Sequence, residues 1–191
     1  MGITQISLDR IGKYLKPNVK ILILGCQNLY DNEHYGQIAH QYFEECGYQV
    51  RSWDITGCQG SETVDLRDKL NDPERFDLIL QHGTVEHIDG GLYQPFKNIH
   101  DLCPVDGVII HENPMKNNWP GHGYHYFTKD FYRELANLNG VQYFIEELTE
   151  EAAMGNTVDG CNVSCVLRKL NNMFCTEEQF NKIYADHIFS K

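Results

Sequence analysis

Four histidines in two short clusters are the residues best placed by type to do chemistry in this 191-residue chain. His82 and His87 follow the apolar run Phe76 to Leu80, and His122 and His125 fall in ENPMKNNWPGHGYHY, residues 112–126. An imidazole titrates near neutral pH, so it can take a proton from a hydroxyl. Glu86 stands directly before His87, and Glu86, His87, His122 and His125 together make a mixed carboxylate and imidazole set for a divalent cation. Such a cation would bind an acceptor's hydroxyls and lower their pKa. Plainer roles compete: Glu86-His87 can simply open a helix, His82 suits a wall residue better than a base, and His122, between Gly121 and Gly123, can be a solvated turn residue.

For the two clusters to meet, the strands before them must end at one edge of a sheet. Ile21 to Leu24 is an apolar run stopped by Gly25, and Tyr48 to Trp53 is a second run that ends at Asp54. With a helix from about Gly36 to Cys46 between them, these read as buried parallel strands joined by a crossover. The turn after Gly25 can present backbone N–H groups to an anion, and Asp54 can accept hydrogen bonds from both hydroxyls of a ribose. An adenosine-containing ligand is the expectation, and a bare crossover unit is the alternative. Thr63 to Leu66, Phe76 to Leu80 and Gly107 to His111 are the next strands, and Gln81-His82-Gly83-Thr84 leaves the sheet at the same edge.

A helix is expected over Leu92 to Cys103 and another from the N-cap Thr128 through Leu138, stopped by Asn139-Gly140. Val141 to Glu147 and Cys161 to Leu170 read as a closing antiparallel pair joined by Glu150 to Gly160. Residues 112–126 make a loop long enough to be a lid. Trp119, Tyr124, Tyr126 and Phe127 offer it an apolar platform for a sugar face, with Asn113, Lys116, Asn117 and Asn118 as polar contacts; folding those aromatics inward is the alternative. Thr176 to Gln179 is a capping box, and the helix it opens has the apolar face Phe180, Ile183, Tyr184 and Ile188. That face can pack on the sheet or meet a second subunit, which leaves a homodimer open. The expectation is one α/β domain: an N-terminal helix in 1–18, a core in 19–170 and a C-terminal helix in 171–191.

The formal net charge of -11, with no Lys/Arg cluster, argues against a nucleic-acid partner and for a small molecule. No signal peptide opens the chain and no apolar run approaches the ~20 residues of a membrane span. Seven cysteines, mostly inside apolar runs (Cys26, Cys46, Cys103, Cys161, Cys165), suggest reduced thiols and a cytoplasmic location.

Four segments carry a resemblance to the class I S-adenosylmethionine-dependent methyltransferases of the small seven-stranded type: ILILGC, VRSWD, VDL and FDLILQHGTVEHI, within residues 20–169. The resemblance implies a Rossmann-like, mostly parallel seven-stranded sheet with an antiparallel last strand and helices on both faces. It places the methionine half of the cofactor at Gly25 and Cys26, the ribose at Asp54 and Ile55, the adenine at Asp65 and Leu66, and a wall near the sulfonium at Gln81, His82 and Gly83. It also implies a hydroxyl acceptor that is small and polar or a glycan sugar, with His125 or His87 as base. The family commonly has an acid two positions before the first glycine and more glycines after it; here those places hold Ile23, Gln27 and Leu29. The spacing from Gly25 to Asp54 also exceeds the ~20 residues of a dinucleotide fingerprint. Asp31, Asn32, Glu33 and His34 are available to replace missing contacts, or the domain is a non-catalytic binding module with a degenerate cofactor loop. A third reading is metal-assisted. Glu86-His87 followed by His122, His125 and Phe127 resembles the metal-dependent RNA 2′-O-methyltransferases that modify small-RNA ends, but those carry another glutamate where Gly83 stands. A divalent metal is therefore not the favoured reading.

Overall fold

The computed structural model describes residues 2–152 and 160–190. Its central sheet has seven strands: β1 (Lys20–Leu24), β2 (Gln49–Asp54), β3 (Glu62–Thr63), β4 (Leu78–His82), β5 (Val108–Pro114), β6 (Tyr143–Ala152) and β7 (Cys161–Lys169). They lie side by side in the order β3-β2-β1-β4-β5-β7-β6. From β3 to β5 every pairing is parallel, and β7 runs antiparallel to both β5 and β6. The order reverses between β1 and β4, where open α/β sheets leave a crevice beyond their carboxyl ends.

The apolar run ILIL makes a strand buried on both faces, because successive side chains of a strand point to opposite sides. Ile21 and Ile23 join a core with Ile11 of helix α1 (Gln5–Gly12) and with Ala39 and Phe43 of α2 (Ala39–Glu45). Leu22 and Leu24 join the opposite core, with Phe96 of α3 (Tyr93–Leu102), Phe131 of α4 (Lys129–Val141) and Phe180 of α5 (Glu177–His187). Each such side chain contributes roughly 1.5–3 kcal/mol of burial. Arg10 is 2% exposed and bonds Glu147 at 2.8 Å and Glu151, which straps α1 to β6.

The capping box on α5 is formed between Thr176 and Gln179. Phe180 and Ile183 are buried against α3 and α4 of the same chain, so the apolar face of α5 finds its cover there. Several boundaries differ from the sequence reading. Ile3–Thr4 is extended, not helical, and pairs in parallel with Leu29–Tyr30 in the loop after β1. Helix α2 starts at Ala39, and α4 runs on through Val141. The third strand is shorter and earlier than Thr63 to Leu66. β5 continues to Pro114 because β7 pairs with it as far as Asn162. Glu112 and Asn113 therefore belong to the sheet, not to the lid. At the end of the lid, His125–Tyr126 pairs with Phe189–Ser190. Within the expected connection Glu150 to Gly160, residues 153–159 lie outside the described residues. Among the described residues no helix is long and apolar enough to cross a membrane.

Candidate active site

Beyond the carboxyl ends of β1, β2 and β4 lies a cleft of about 390 Å³. Gly25, Cys26, Asp54, Asp65, Leu66 and Gly83 line it, together with Ile55 and His87. Gly25 is the first turn residue after β1 and has φ +82°, where a side chain is strained. A Cβ there would also stand 2.5 Å from Thr84 Oγ1, the hydroxyl that donates to Leu24 O at 2.7 Å and joins the β1 and β4 loops. Only glycine fits this crossing.

Asp54 closes β2. Its Oδ2 accepts the Cys26 N–H at 3.0 Å, and its Oδ1 accepts the Thr56 N–H at 2.7 Å and the Thr56 hydroxyl at 2.6 Å. Burial pushes this carboxyl up, but the bonds from Thr56 and Cys26 hold it below the ordinary range. It is an anion facing the cleft at neutral pH. Asp65 is held by the Arg67 guanidinium at 2.6 and 3.0 Å, which lowers its pKa despite some desolvation. Ile55, 57% exposed, and Leu66 give the same end of the cleft its apolar walls.

The segment after β4 divides its residues between different environments. Gln81 is fully buried and does not line the cleft. With its amide nitrogen turned to His111 and Asn113, its oxygen accepts the N–H groups of Thr84 and Val85, so it braces the loop from behind. His82 is 1% exposed and sits 3.7 Å from Glu112 Oε2, near Arg10. The alternation of β4 turns it to the α1 side of the sheet, and burial depresses its pKa. The expectation of a cleft wall at Gln81 and His82 is thus corrected, whereas Gly83 does face the cleft.

Val85–His87 is a single 3₁₀ turn that buries Glu86 completely and leaves His87 half-exposed on the cleft. Burial raises the Glu86 carboxyl to about 8 and, with His122 alongside, lowers His87 to about 4. His122 comes in from the lid, its Nε2 3.8 Å from Glu86 Oε1, and burial lowers its pKa too. The structure therefore brings Glu86, His87 and His122 together. His125 stays apart: it is 2% exposed, its Nε2 bonds Ile88 O at 2.8 Å and its Nδ1 bonds the Tyr184 hydroxyl at 2.9 Å. With both nitrogens engaged and no face on the cleft, His125 has a structural role and leaves the base to others.

Of the aromatic platform, only Tyr124 reaches the cleft. Phe127 is buried in the core, Tyr126 bonds Trp119 O within the lid, and Trp119 donates to Asn162 at 3.1 Å. In the long loop after β1, Asp31 holds His34 at 2.7 Å, and neither lines the cleft. Cys26 is joined to Cys58 by a disulfide, with the Cα atoms 6.2 Å apart, which corrects the expectation of reduced thiols at that position. Thr84, Arg67 and Asp89 also line the cleft and were not singled out by sequence. The Asp-x-Arg spacing of 65 and 67, in a loop after a strand, was the one available signal.

No family model and no curated protein matches the sequence. Solved structures do match. The 1,6-didemethyltoxoflavin-N1-methyltransferase of Burkholderia thailandensis, bound to S-adenosylhomocysteine, aligns with TM-score 0.60 at 17% identity, over 87% of this chain and 76% of that one. The O-methyltransferase of a trans-AT PKS multienzyme of Brevibacillus brevis, also with S-adenosylhomocysteine, aligns with TM-score 0.57 at 15% identity, over 87% and 70%. The [4+2]-cyclase SpnF aligns with TM-score 0.61 at 12% identity, over 85% and 80%. The chain has the class I methyltransferase fold, a Rossmann-like α/β sheet; at these identities the likeness stops at the fold, which also carries a cyclase.

Proposed function

We propose that this chain is an S-adenosylmethionine-dependent methyltransferase that modifies a hydroxyl of a small polar or carbohydrate acceptor. The observation that carries the reading is the ionised Asp54 at the mouth of an open cleft at the sheet's switch point. Gly25 and Cys26 would hold the methionine half of the cofactor, Asp54 and Ile55 the ribose, Asp65 and Leu66 the adenine, with Gly83 near the sulfonium. When bound, the cofactor supplies an electrophilic methyl on sulfur. The chain's own share is alignment of the acceptor, exclusion of water and removal of its proton. His87 is the imidazole on the cleft; burial and His122 keep it neutral, so its lone pair is free to accept, as a weaker base than an exposed histidine. Tyr124 offers the acceptor an apolar ring beside it.

The non-catalytic alternative requires the loop after β1 to fill the cofactor space. Only Gly25, Cys26 and Gln27 of that loop border the cleft, which favours the enzyme. Calorimetric titration of the full chain with S-adenosylhomocysteine tests this reading. Saturable one-to-one binding is expected, and its absence refutes the proposal.

A further inference from the structure

We propose that Glu86, His87 and His122 bind one divalent transition-metal cation, Zn²⁺ in the first instance, at the rim of the cleft. One ligand atom from each lies within 4.8 Å of the other two. Glu86 Oε1 stands 3.6 Å from His87 Nε2 and 3.8 Å from His122 Nε2. Ligand bonds of ~2.1 Å at tetrahedral angles separate ligand atoms by about 3.4 Å, so Glu86 Oε1 has to draw only a few tenths of an ångström nearer each imidazole, and the two imidazoles already offer nitrogens within 4.8 Å of each other. Glu86 Oε1 and His122 Nε2 are both buried, and neither makes a hydrogen bond. Buried polar atoms without partners are costly and rare, and one cation between them satisfies both.

The surroundings fix these ligands in place. Glu86 Oε2 accepts from Asn113 Nδ2 at 3.2 Å, and Asn113 Oδ1 accepts the Tyr132 hydroxyl at 2.5 Å, an outer layer of the kind that orients metal ligands. Tyr124 donates its N–H to Glu86 O at 2.7 Å, and a Cβ on Gly123 would come within 2.8 Å of that same oxygen. The lid that brings His122 is therefore pressed against the turn that carries Glu86 and His87. Two imidazoles and one carboxylate leave coordination positions open, the donor set of reactive rather than structural ions. His87 and Tyr124 both border the cleft, so those positions face it.

The rival cluster of Cys26, Asp54 and Cys58 has its two sulfurs bonded to each other and offers only a carboxylate. The inference rests on the methyltransferase reading for one point alone, the acceptor that would use the open positions. An acceptor with two adjacent oxygens would chelate the ion, and coordination would lower its hydroxyl pKa, with the proton passing to water and His87 serving as ligand instead of base.

The test is titration of the chelator-treated full chain with Zn²⁺ by calorimetry and with Co²⁺ by visible absorption, without cofactor. One equivalent should bind, and Co²⁺ should give ligand-field bands with no sulfur-to-metal charge transfer. Glu86→Gln, His87→Ala and His122→Gln should each weaken binding by at least tenfold, whereas the Cys26→Ser/Cys58→Ser double variant should bind as the parent does. His87 is half-exposed, so its variant keeps the test open should the Glu86 variant not fold. No binding, undiminished binding in the His87 and His122 variants, or a thiolate charge-transfer band would overturn the proposal. A chain that binds S-adenosylhomocysteine but no metal refutes the ion and leaves the enzyme; the reverse result does the opposite.

Discussion

Replacing Asp54 with asparagine removes a charge and keeps the side chain's size. In the structure the carboxylate already accepts three hydrogen bonds, from Cys26 N, Thr56 N and the Thr56 hydroxyl. A carboxylate has about four acceptor sites, so two ribose hydroxyls can be held only if the rotatable Thr56 hydroxyl gives way. Hydrogen bonds to a charged group are worth about 1.5–3 kcal/mol against about 0.5–1.5 kcal/mol for neutral ones. Two bonds thus lose about 2–3 kcal/mol in Asp54→Asn, a roughly 30–150-fold weaker Kd for S-adenosylhomocysteine at 1.4 kcal/mol per decade. Thr56→Ala disturbs the same loop but removes the competing hydroxyl, so its Kd should equal or improve on that of the parent. Calorimetry on the three proteins, with thermal melts to confirm folding, separates the effects. Unchanged binding in Asp54→Asn refutes the ribose assignment, and equal losses in both variants would show that the loop's shape, not the carboxylate, matters.

Gly25→Ala should cost stability and cofactor affinity together: the left-handed backbone alone costs roughly 1–2 kcal/mol, and the new Cβ would displace Thr84 Oγ1. Urea melts and titration with S-adenosylhomocysteine check it, and an alanine variant with parental values for both contradicts the close crossing of the two loops. Arg10→Met should destabilise the fold by about 3–5 kcal/mol, because Glu112, Glu147 and Glu151 are left around an uncharged stem; a midpoint unchanged in urea would exclude the strap. His100 bonds the Tyr143 hydroxyl at 2.7 Å, and burial lowers its pKa to about 4. The unfolded chain binds a proton there below about pH 6.5 that the native chain refuses, so this stability is present above that pH and is lost as pH falls toward 4. By pH 4.5 the loss is about 2.5 kcal/mol. His100→Asn should flatten the stability difference between pH 7 and 4.5 by about that amount, and an identical pH profile for the variant would rule the group out.

Much of the site's frame was legible because its signals are local. ILIL followed by Gly25, VRSW followed by Asp54 and the TEEQ capping box each state their structure within a few residues, and the sheet pairs them as read. What failed depended on parity or on distant partners. Ending the fourth strand at Leu80 left Gln81 and His82 free to face the cleft; two more paired residues put His82 on the far side. His125 could be assigned only with knowledge of Tyr184 and of the Phe189–Ser190 segment that pairs beside it. The Cys26–Cys58 bond and the burial of Glu86 by the lid are likewise contacts that no local pattern encodes.

The scarcity of glycine after Gly25 finds its explanation in the extra residues of that loop. A short cofactor loop must turn tightly against its ligand and needs several glycines to do so. Here the chain leaves the cleft after Gln27, pairs Asn28 with Ile38 and lays Leu29–Tyr30 along Ile3–Thr4 before α2 begins at Ala39. Length therefore does the work that small residues do elsewhere: bulky Leu29 is fully buried away from the cleft, and only Gly25 has to make a close crossing. The N-terminal segment is part of the same device, since Gly2 abuts the Tyr30 ring and the Asn28 carbonyl. The cleft stays open because the loop beside it is anchored to the start of the chain.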